Sequence, residues 1–358
     1  MQKTLFKTPL YAAFFCSLVL SSCSTTQEQA GAQCQARNTP VSTVQGSGHA
    51  SSMRGQYVTV KGVVSLVQND AGLYLEDTET GGNPNSSNAI FIQTDKLPAN
   101  ISIGSLVAVR GIVDELGERR DTLTALTGIT DLDLCADDQP IPVTAVTLPL
   151  DTDKREALEG MRIHIKAPLV ATDVYGFGRG NITLSGNGLQ YVPTEIVTPG
   201  EKASSLQTEN RNFALPVHLP ESMSFPKLIV SGMMIDQITG VVAHDERGKR
   251  ITLELISSFD KPTFEPPSSA ANGSLRFVGM NLHNYFNGDG KGAGFPTPRG
   301  AKTLGGFQDQ RARIGAAIKQ LDPHVIAVME LENDGFGVDS AAQDFIELTE
   351  KSTSHQWQ

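Results

Sequence analysis

The chain has little positive charge and few aromatic residues. Its 358 residues include 29 Lys plus Arg against 39 Asp plus Glu, which gives a formal net charge of −10, and 6% are aromatic. A protein that binds nucleic acid mainly by neutralising phosphates carries an excess of Lys and Arg. The composition argues against that mode of binding, so a polyanionic substrate would require local positive charge or a metal ion.

Long hydrophobic runs are also scarce, and the apolar run near the start extends only from Leu10 to Leu20. A membrane-spanning helix needs about 20 apolar residues, so this run is too short to cross a bilayer. Lys3 and Lys7 precede it, and small residues follow it. This pattern predicts a signal peptide over residues 1–23 and therefore an exported protein.

The end of this segment resembles a bacterial lipobox, in which a lipid is attached to the cysteine. Leu20, Ser21 and Ser22 precede Cys23, and Ser24 follows it. The resemblance implies a membrane anchor at Cys23, and Ser24 favours the outer membrane. The alternative is ordinary secretory cleavage near the same position, so we expect either an outer-membrane lipoprotein or an extracellular protein.

Cysteine is rare, with four residues in the chain. Export would remove Cys16 with the signal peptide and lipidation would use Cys23, which leaves Cys34 and Cys135. In an oxidising compartment these two form a candidate disulfide. The alternative is a pair of unrelated free thiols.

Residues 24–54 are rich in Ser, Thr, Gln and Gly and show no periodic apolar pattern, so we expect a tether. From 55 to 135 the sequence changes to short alternating runs separated by turn residues, as in Tyr57 to Val64 and Leu106 to Val113. About five such runs predict an antiparallel β module resembling an OB-like barrel. A second β-rich module is expected at 141–260, with too little similarity to the first to predict a repeat.

Both β modules are acidic. Residues 272–358 hold 8 Lys plus Arg and 10 Asp plus Glu, a balance of −2, so the first 271 residues carry the remaining −8 of the total −10. This balance favours a scaffolding or substrate-presenting role over direct binding of DNA. A Pro-rich linker is expected at 261–273, and a new domain at 274–358.

The last domain begins with a strand, a helix and a second strand. An apolar strand is expected from Ser274 to Leu282, and the helical spacing of Ile314, Ala317, Ile318 and Leu321 predicts a helix over 307–321. Asp322-Pro323 ends the helix, and a second apolar strand then runs from His324 to Glu330. Two neighbouring strands would bring Asn281 and Glu330 to the same end of one sheet.

An amide and a carboxylate at neighbouring strand ends suit a hard, oxygen-preferring cation. We therefore expect Mg²⁺, with Mn²⁺ and Ca²⁺ as alternatives, at Asn281 and Glu330. Arg311 and Arg313 are expected on the exposed face of the helix. The segment Asn287 to Gly290 looks like the start of a calcium loop, but it lacks a Glu at the twelfth position and is expected to be a Gly-rich loop.

Four blocks of this domain together resemble the opening motifs of the endonuclease/exonuclease/phosphatase (DNase I-like) superfamily, in particular its bacterial extracellular nucleases. They are LRFVGMNLHNYFN at 275–287, PRGA at 298–301, QDQRARIGAAI at 308–318 and DPHVIAVMELEN at 322–333. The resemblance implies an α+β four-layer sandwich and metal-dependent hydrolysis of DNA or RNA. It implies that Asn281 and Glu330 are catalytic residues at the metal. Glu332 and Asn333 would support them or would form a solvated loop.

The family also uses a catalytic His, an Asp-any-Asn pair and an Asp-His pair, and neither pair follows Glu330 in this sequence. We therefore expect residues 274–358 to be the N-terminal part of the catalytic domain, and this chain alone to be inactive although the full-length protein is an enzyme. Two alternatives are a related phosphohydrolase acting on a lipid or sugar phosphate, and a non-enzymatic surface lipoprotein whose β modules bind a partner.

Overall fold

The computed structural model describes residues 31–357, apart from 69–70, 79–82, 118–121, 227, 246–247, 258 and 261–274. The predicted signal peptide, with its lipidation site Cys23, lies outside the described residues, as does the predicted linker. The chain divides into two compact units, Met1–Pro262 and Thr263–Gln358. Among the described helices, none is both long and apolar enough to cross a membrane.

A closed five-stranded barrel begins the first unit, as the alternating pattern predicts. The strands pair in the order β1-β2-β3-β5-β4, and β4 pairs with β1 to close the barrel. A register shift between Val64 and Leu66 interrupts the pairing of β1 with β2, while the first half of β1 pairs with β4. The strand bounds are β1 Tyr57–Gln68, β2 Gly72–Glu76, β3 Ala89–Gln93, β4 Leu106–Leu116 and β5 Leu123–Ala136.

Residues 31–54 pack on this barrel, so the predicted tether is wrong for this stretch. Two short helices, α1 (Ala32–Gln35) and α2 (Val41–Gln45), lie here, and Val41 and Val44 are fully buried in the barrel core. Helices of four and five residues are too short to show a helical period in the sequence. The predicted disulfide is confirmed, since Cys34 is bonded to Cys135 with 5.5 Å between their Cα atoms.

The second module repeats the pairing order of the first barrel. Strand β7 pairs with β8, β8 with β9, β9 with β11, β11 with β10, and β10 again with β7. The pairing of the third and fifth strands is parallel in both modules. The strands are β6 Thr144–Ala145, β7 Arg162–Asp173, β8 Asn181–Ser185, β9 Ala214–His218, β10 Met234–Asp245 and β11 Gly248–Ile256.

Three α-helices accompany this second module: α3 (Thr152–Glu156), α4 (Pro193–Ile196) and α5 (Glu201–Phe213), together with a short 3-10 turn at Phe177–Arg179. Helix α5 lies between β8 and β9, the second and third strands of the circuit. The module has a core of its own, in which Ile165, Leu184 and Val217 are fully buried.

The two modules share a buried joint. Tyr74, Phe91 and Ala125 of the first barrel form one apolar cluster with Val241 and Ala243 of the second module. This cluster joins the two modules through core packing within the first unit.

Two glutamates are buried at this joint. Glu76 accepts a hydrogen bond from the backbone N–H of Arg162 at 2.9 Å, and Glu159 accepts one from the backbone N–H of Thr124 at 2.9 Å. Lys249 Nζ lies 3.1 Å from Glu159 Oε2. Burial raises the pKa of Glu76 to about 8 and that of Glu159 to about 7, because a charged carboxylate is disfavoured away from water.

The described part of the second unit contains two strands and two helices. Strand β12 (Phe277–Tyr285) pairs in parallel with β13 (Val325–Leu331), and helix α6 (Leu304–Leu321) connects them. Helix α7 (Ala341–Ser352) follows. This is the predicted order of strand, helix and strand. The described residues form one sheet layer with helices, so the four-layer sandwich stays an expectation.

Candidate active site at the strand ends

The structure brings Asn281 and Glu330 together at the ends of the two parallel strands. Asn281 lies opposite Met329 in the strand register, and Glu330 is the next residue along β13. The side-chain amide of Asn281 donates a hydrogen bond from Nδ2 to Glu330 Oε1 at 3.0 Å. The parallel pairing is what places the two polar side chains side by side.

A second donor holds the other carboxylate oxygen of Glu330. The backbone N–H of Asn284 donates to Glu330 Oε2 at 3.0 Å, and the backbone N–H of His283 donates to Asn281 Oδ1 at 2.8 Å. Hydrogen bonds to the charged form of a carboxylate lower its pKa. The pKa of Glu330 is lowered mainly by the hydrogen bond from Asn281, and further by the one from Asn284 and by the charges of His283 and Arg299. The exposed carboxylate is therefore ionised and fixed in orientation.

The backbone at this site is in the left-handed region at three residues that are not glycine. The φ angles are 59° at His283, 55° at Asn284 and 61° at Glu330. Such angles are uncommon for residues with a side chain, and backbone outliers of this kind cluster at functional sites. At Asn284 the turned backbone presents the N–H that the Glu330 carboxylate accepts.

Two of the four sequence blocks support this turn. Gln310 of α6 donates from Nε2 to the carbonyl oxygens of Leu282 and His283, at 2.7 and 3.0 Å. Gly300 approaches so closely that a Cβ there would lie 2.6 Å from the carbonyl oxygen of Asn284. The roles of Gln310 and Gly300 were not predicted, although both lie in blocks that the sequence singles out.

A cavity of about 400 Å³ opens beside the strand ends. Asn281 and Asn284, which both hydrogen-bond to Glu330, line it together with Arg299, Gln310 and Arg313. The guanidinium groups of Arg299 and Arg313 therefore line a cavity next to Asn281 and Asn284, which hydrogen-bond to the ionised Glu330. Guanidinium groups suit the binding of phosphate.

Glu332 and Asn333 do not join this site. In the described part of the chain neither residue hydrogen-bonds to Asn281 or Glu330. Burial and the nearby charge of Asp334 raise the pKa of Glu332, while a hydrogen bond with the backbone of Asn287 lowers it. Glu332 therefore faces the loop at Asn287, and Asn333 is exposed.

Arg311 is not a merely exposed helix residue, contrary to the expectation. Its Nε donates to Asp344 Oδ2 at 2.8 Å and to the Tyr285 hydroxyl at 3.2 Å. The Tyr285 hydroxyl also donates to Asp344. This trio joins β12, α6 and α7, so the role of Arg311 is to pack the unit. Arg313 lines the cavity instead.

The donor set limits which metal ion could bind. Over the described residues, no group of three or more His, Cys, Asp or Glu is placed to hold a metal. Mg²⁺ can be held by one or two carboxylates while keeping several waters and contacting substrate phosphate, whereas structural Zn²⁺ uses four protein ligands. The single oriented carboxylate of Glu330 fits Mg²⁺ or Mn²⁺. Asn281 orients Glu330 through Nδ2, and its oxygen, which accepts from His283, keeps a second lone pair, so the expectation that Asn281 also binds the ion stays a prediction.

No protein-family model matches the chain. No curated protein matches it either. Among solved structures, it is similar to a multidomain protein with nucleic-acid-binding domains from Streptococcus pneumoniae, at 9% sequence identity and a TM-score of 0.13, over 58% of this chain and 52% of that one. The chain thus spans about half the length of the structure it matches, and at this TM-score the likeness carries no argument.

Proposed function

We propose that the chain belongs to an exported, metal-dependent phosphodiesterase that cleaves DNA or RNA, with Glu330 as a metal ligand. The observation that supports this proposal is the pair of hydrogen bonds from Asn281 and Asn284 to the two oxygens of Glu330, beside a cavity that two arginines line. The four sequence blocks that resemble the nuclease superfamily converge on this one edge of the sheet.

In this proposal each residue at the strand ends has a separate role. Glu330 holds Mg²⁺, and Asn281 and the backbone N–H of Asn284 keep the carboxylate ionised and oriented. When bound, the ion would act as a Lewis acid toward the phosphoryl oxygen. Arg299 and Arg313 bind the phosphate in the cavity and stabilise the negative charge that develops on it.

The test is degradation of plasmid DNA by protein made from the complete gene, with Mg²⁺ and with EDTA. We expect degradation in Mg²⁺, none in EDTA, and a loss of about 100-fold or more in Glu330→Ala, the size of effect seen when one group that stabilises transition-state charge is removed from an enzyme. Glu350→Ala is the matched control, because Glu350 is an exposed glutamate of α7 whose described hydrogen bond is to Trp357. Equal activity of Glu330→Ala and Glu350→Ala would contradict the assignment of Glu330.

The substrate class is tested in the same assay with single-stranded RNA and with phospholipid. Cleavage of phospholipid without cleavage of either nucleic acid would overturn the nuclease proposal while leaving a metal site at Glu330 intact.

A further inference from the structure

A second cavity lies in the first unit, on the second module, and is larger than the one at the strand ends. Its volume is about 600 Å³, within the range of small-molecule sites. Helix α3, the end of α5 and strands β9 and β11 contribute to its walls. None of the four sequence blocks that resemble nucleases lies here.

The lining of this cavity is aliphatic. No Phe, Tyr or Trp is among the described residues that line it, and the imidazole of His49, which also lines it, lies 3.3 Å from Glu156 Oε2. The larger aliphatic residues are Leu150, Leu158, Ile163, Leu215, Val242 and Ile251. Proteins that bind single-stranded nucleic acid stack its bases on aromatic side chains, so this lining does not favour a nucleobase. It favours an aliphatic group.

The walls are cationic although the chain as a whole is acidic. Four Lys or Arg residues line the cavity, namely Arg155, Arg211, Lys249 and Arg250, together with His49 and one acidic residue, Glu156. Lys249 is paired with Glu156 and Glu159, so its charge is balanced locally. Arg155 of α3 and Arg211 of α5 have no carboxylate within ion-pair distance among the described residues, although the charge of Asp151 acts on Arg155.

Arg155 is held in place by the backbone. Its Nη2 donates to the carbonyl oxygens of Arg211 and Ala214 at 2.8 and 2.7 Å, and its Nε donates to that of Leu150 at 3.1 Å. Within the described part of the chain, its Nη1 makes no hydrogen bond. Burial is the main cause of a lowered pKa of Arg155, because the charged guanidinium loses hydration. An anion near Nη1 would offset that loss.

Arg211, which is exposed, adds a second guanidinium to the lining of the cavity. Its side chain makes one long hydrogen bond in the described residues, from Nη2 to the Thr208 hydroxyl at 3.3 Å. Two guanidinium groups at an aliphatic cavity match a ligand with a charged end and an apolar body.

We propose that this cavity binds a small amphipathic anion, an alkyl chain that ends in a carboxylate, with the chain on the aliphatic lining and the carboxylate at Arg155 and Arg211. This inference is independent of the proposed nuclease activity, because no residue of the strand-end site takes part. A free fatty acid has this chemistry, whereas a lipid in a membrane presents its headgroup and not the end of its alkyl chain, and the test separates the two.

The test is calorimetric titration of the full chain with decanoate, decanol and decyltrimethylammonium. We expect decanoate to bind at least about tenfold more tightly than either of the others, because its carboxylate can accept charge-assisted hydrogen bonds from the guanidinium groups, whereas the alcohol is uncharged and the ammonium is repelled. Arg211→Gln should weaken decanoate binding by about tenfold or more on the same basis. Lys202→Gln is the matched control, because Lys202 is exposed on the same helix and does not line the cavity.

A second variant tests the cavity itself. Thr208 is exposed and lines the cavity, so Thr208→Trp should fill the opening and abolish decanoate binding while the far-ultraviolet circular dichroism stays that of the wild type. The proposal is overturned by three results: absence of decanoate binding to the wild type, equal binding of decanol, or unchanged binding in Arg211→Gln. Displacement of decanoate by oligodeoxythymidine would assign the cavity to nucleic acid instead. Binding of anionic vesicles without binding of decanoate would assign it to a membrane surface.

Discussion

At the joint in the first unit, burial raises the pKa of Glu76 to about 8, whereas at the strand ends of the second unit two hydrogen bonds lower the pKa of the exposed Glu330. Both carboxylates accept backbone N–H groups, so the hydrogen bonds alone do not account for the difference. Exposure to water leaves the charge of Glu330 available to a cation, while desolvation favours the protonated form of Glu76 in the folded state at pH values below about 8. The comparison shows how one residue type serves packing in one unit and is available for chemistry in the other.

The largest expected effect is on stability: removing the disulfide should destabilise the first unit and not the second. The Cys34–Cys135 disulfide joins residues 101 apart within the first unit, and a loop of that length corresponds to about 4 to 5 kcal/mol on the chain-entropy model. The variant Cys34→Ser with Cys135→Ser should lower the first unit's free energy of unfolding by that amount and leave the second unit unchanged. Calorimetry of the variant, and of reduced wild-type protein as the control, measures this. An equal fall in the free energy of unfolding of both units would contradict the division of the chain into two separately stable units.

The next effect concerns pH and Glu76. The folded pKa is raised from 4.5 to about 8, so between these values the folded state keeps a proton that the unfolded state has lost. The contribution of Glu76 to stability is therefore fully present below pH 4.5 and falls by about 1.4 kcal/mol per pH unit as the pH rises toward 8. Urea unfolding of Glu76→Gln should show a shallower loss of stability over this range than the wild type.

Glu195→Gln is the control for that series, because Glu195 is exposed in the same unit. Parallel pH profiles of Glu76→Gln and wild type would contradict a protonated Glu76 at the joint. Some slope should remain in Glu76→Gln up to about pH 7, since burial also raises the pKa of Glu159 to about 7.

A smaller effect is expected at the strand ends when the orienting amide is removed. Asn281→Ala should weaken Mn²⁺ binding by about 10- to 100-fold, as for other residues that position a metal ligand. The pKa of Glu330 should rise toward its usual value, so the acidic limit of Mn²⁺ binding should move to higher pH. Electron paramagnetic resonance of free Mn²⁺ as a function of pH measures both effects. Asn333→Ala serves as the control, and equal losses in the two variants would contradict the role of Asn281.

The smallest effect is expected for Glu332, two residues after Glu330. Its contacts are with the loop at Asn287, and burial raises its pKa. Glu332→Gln should therefore change Mn²⁺ affinity by less than about twofold, because a charge outside the site contributes little. A loss as large as that from removing Glu330 would show that the site includes Glu332.

Much of the fold and the central pair could be predicted from the sequence, because both depend on local patterns. Alternating runs such as Leu106 to Val113 indicated the first barrel, and the spacing of two apolar strands around one helix placed Asn281 beside Glu330. The repeated strand circuit of the second module was not predicted, since strand pairing joins residues far apart in the chain and leaves no period in the sequence. The burial of Val41 and Val44 was missed because a helix of five residues is too short to show a helical period in the sequence.

The contacts that hold the backbone of the site in place could not be predicted from the sequence either. Gln310 and Gly300 act through backbone atoms of residues 282–284, and neither a glutamine in a helix nor a glycine in a loop signals such a contact. The left-handed backbone at His283, Asn284 and Glu330 arises from the fold around these residues, since none of the three is glycine.

The central claim is that Glu330 is a metal ligand, and direct titration of the full chain with Mn²⁺ tests it most directly. Wild type and Glu350→Gln should each bind one Mn²⁺ that excess Mg²⁺ displaces, and Glu330→Gln should not bind it. Equal Mn²⁺ binding by all three proteins would contradict the claim.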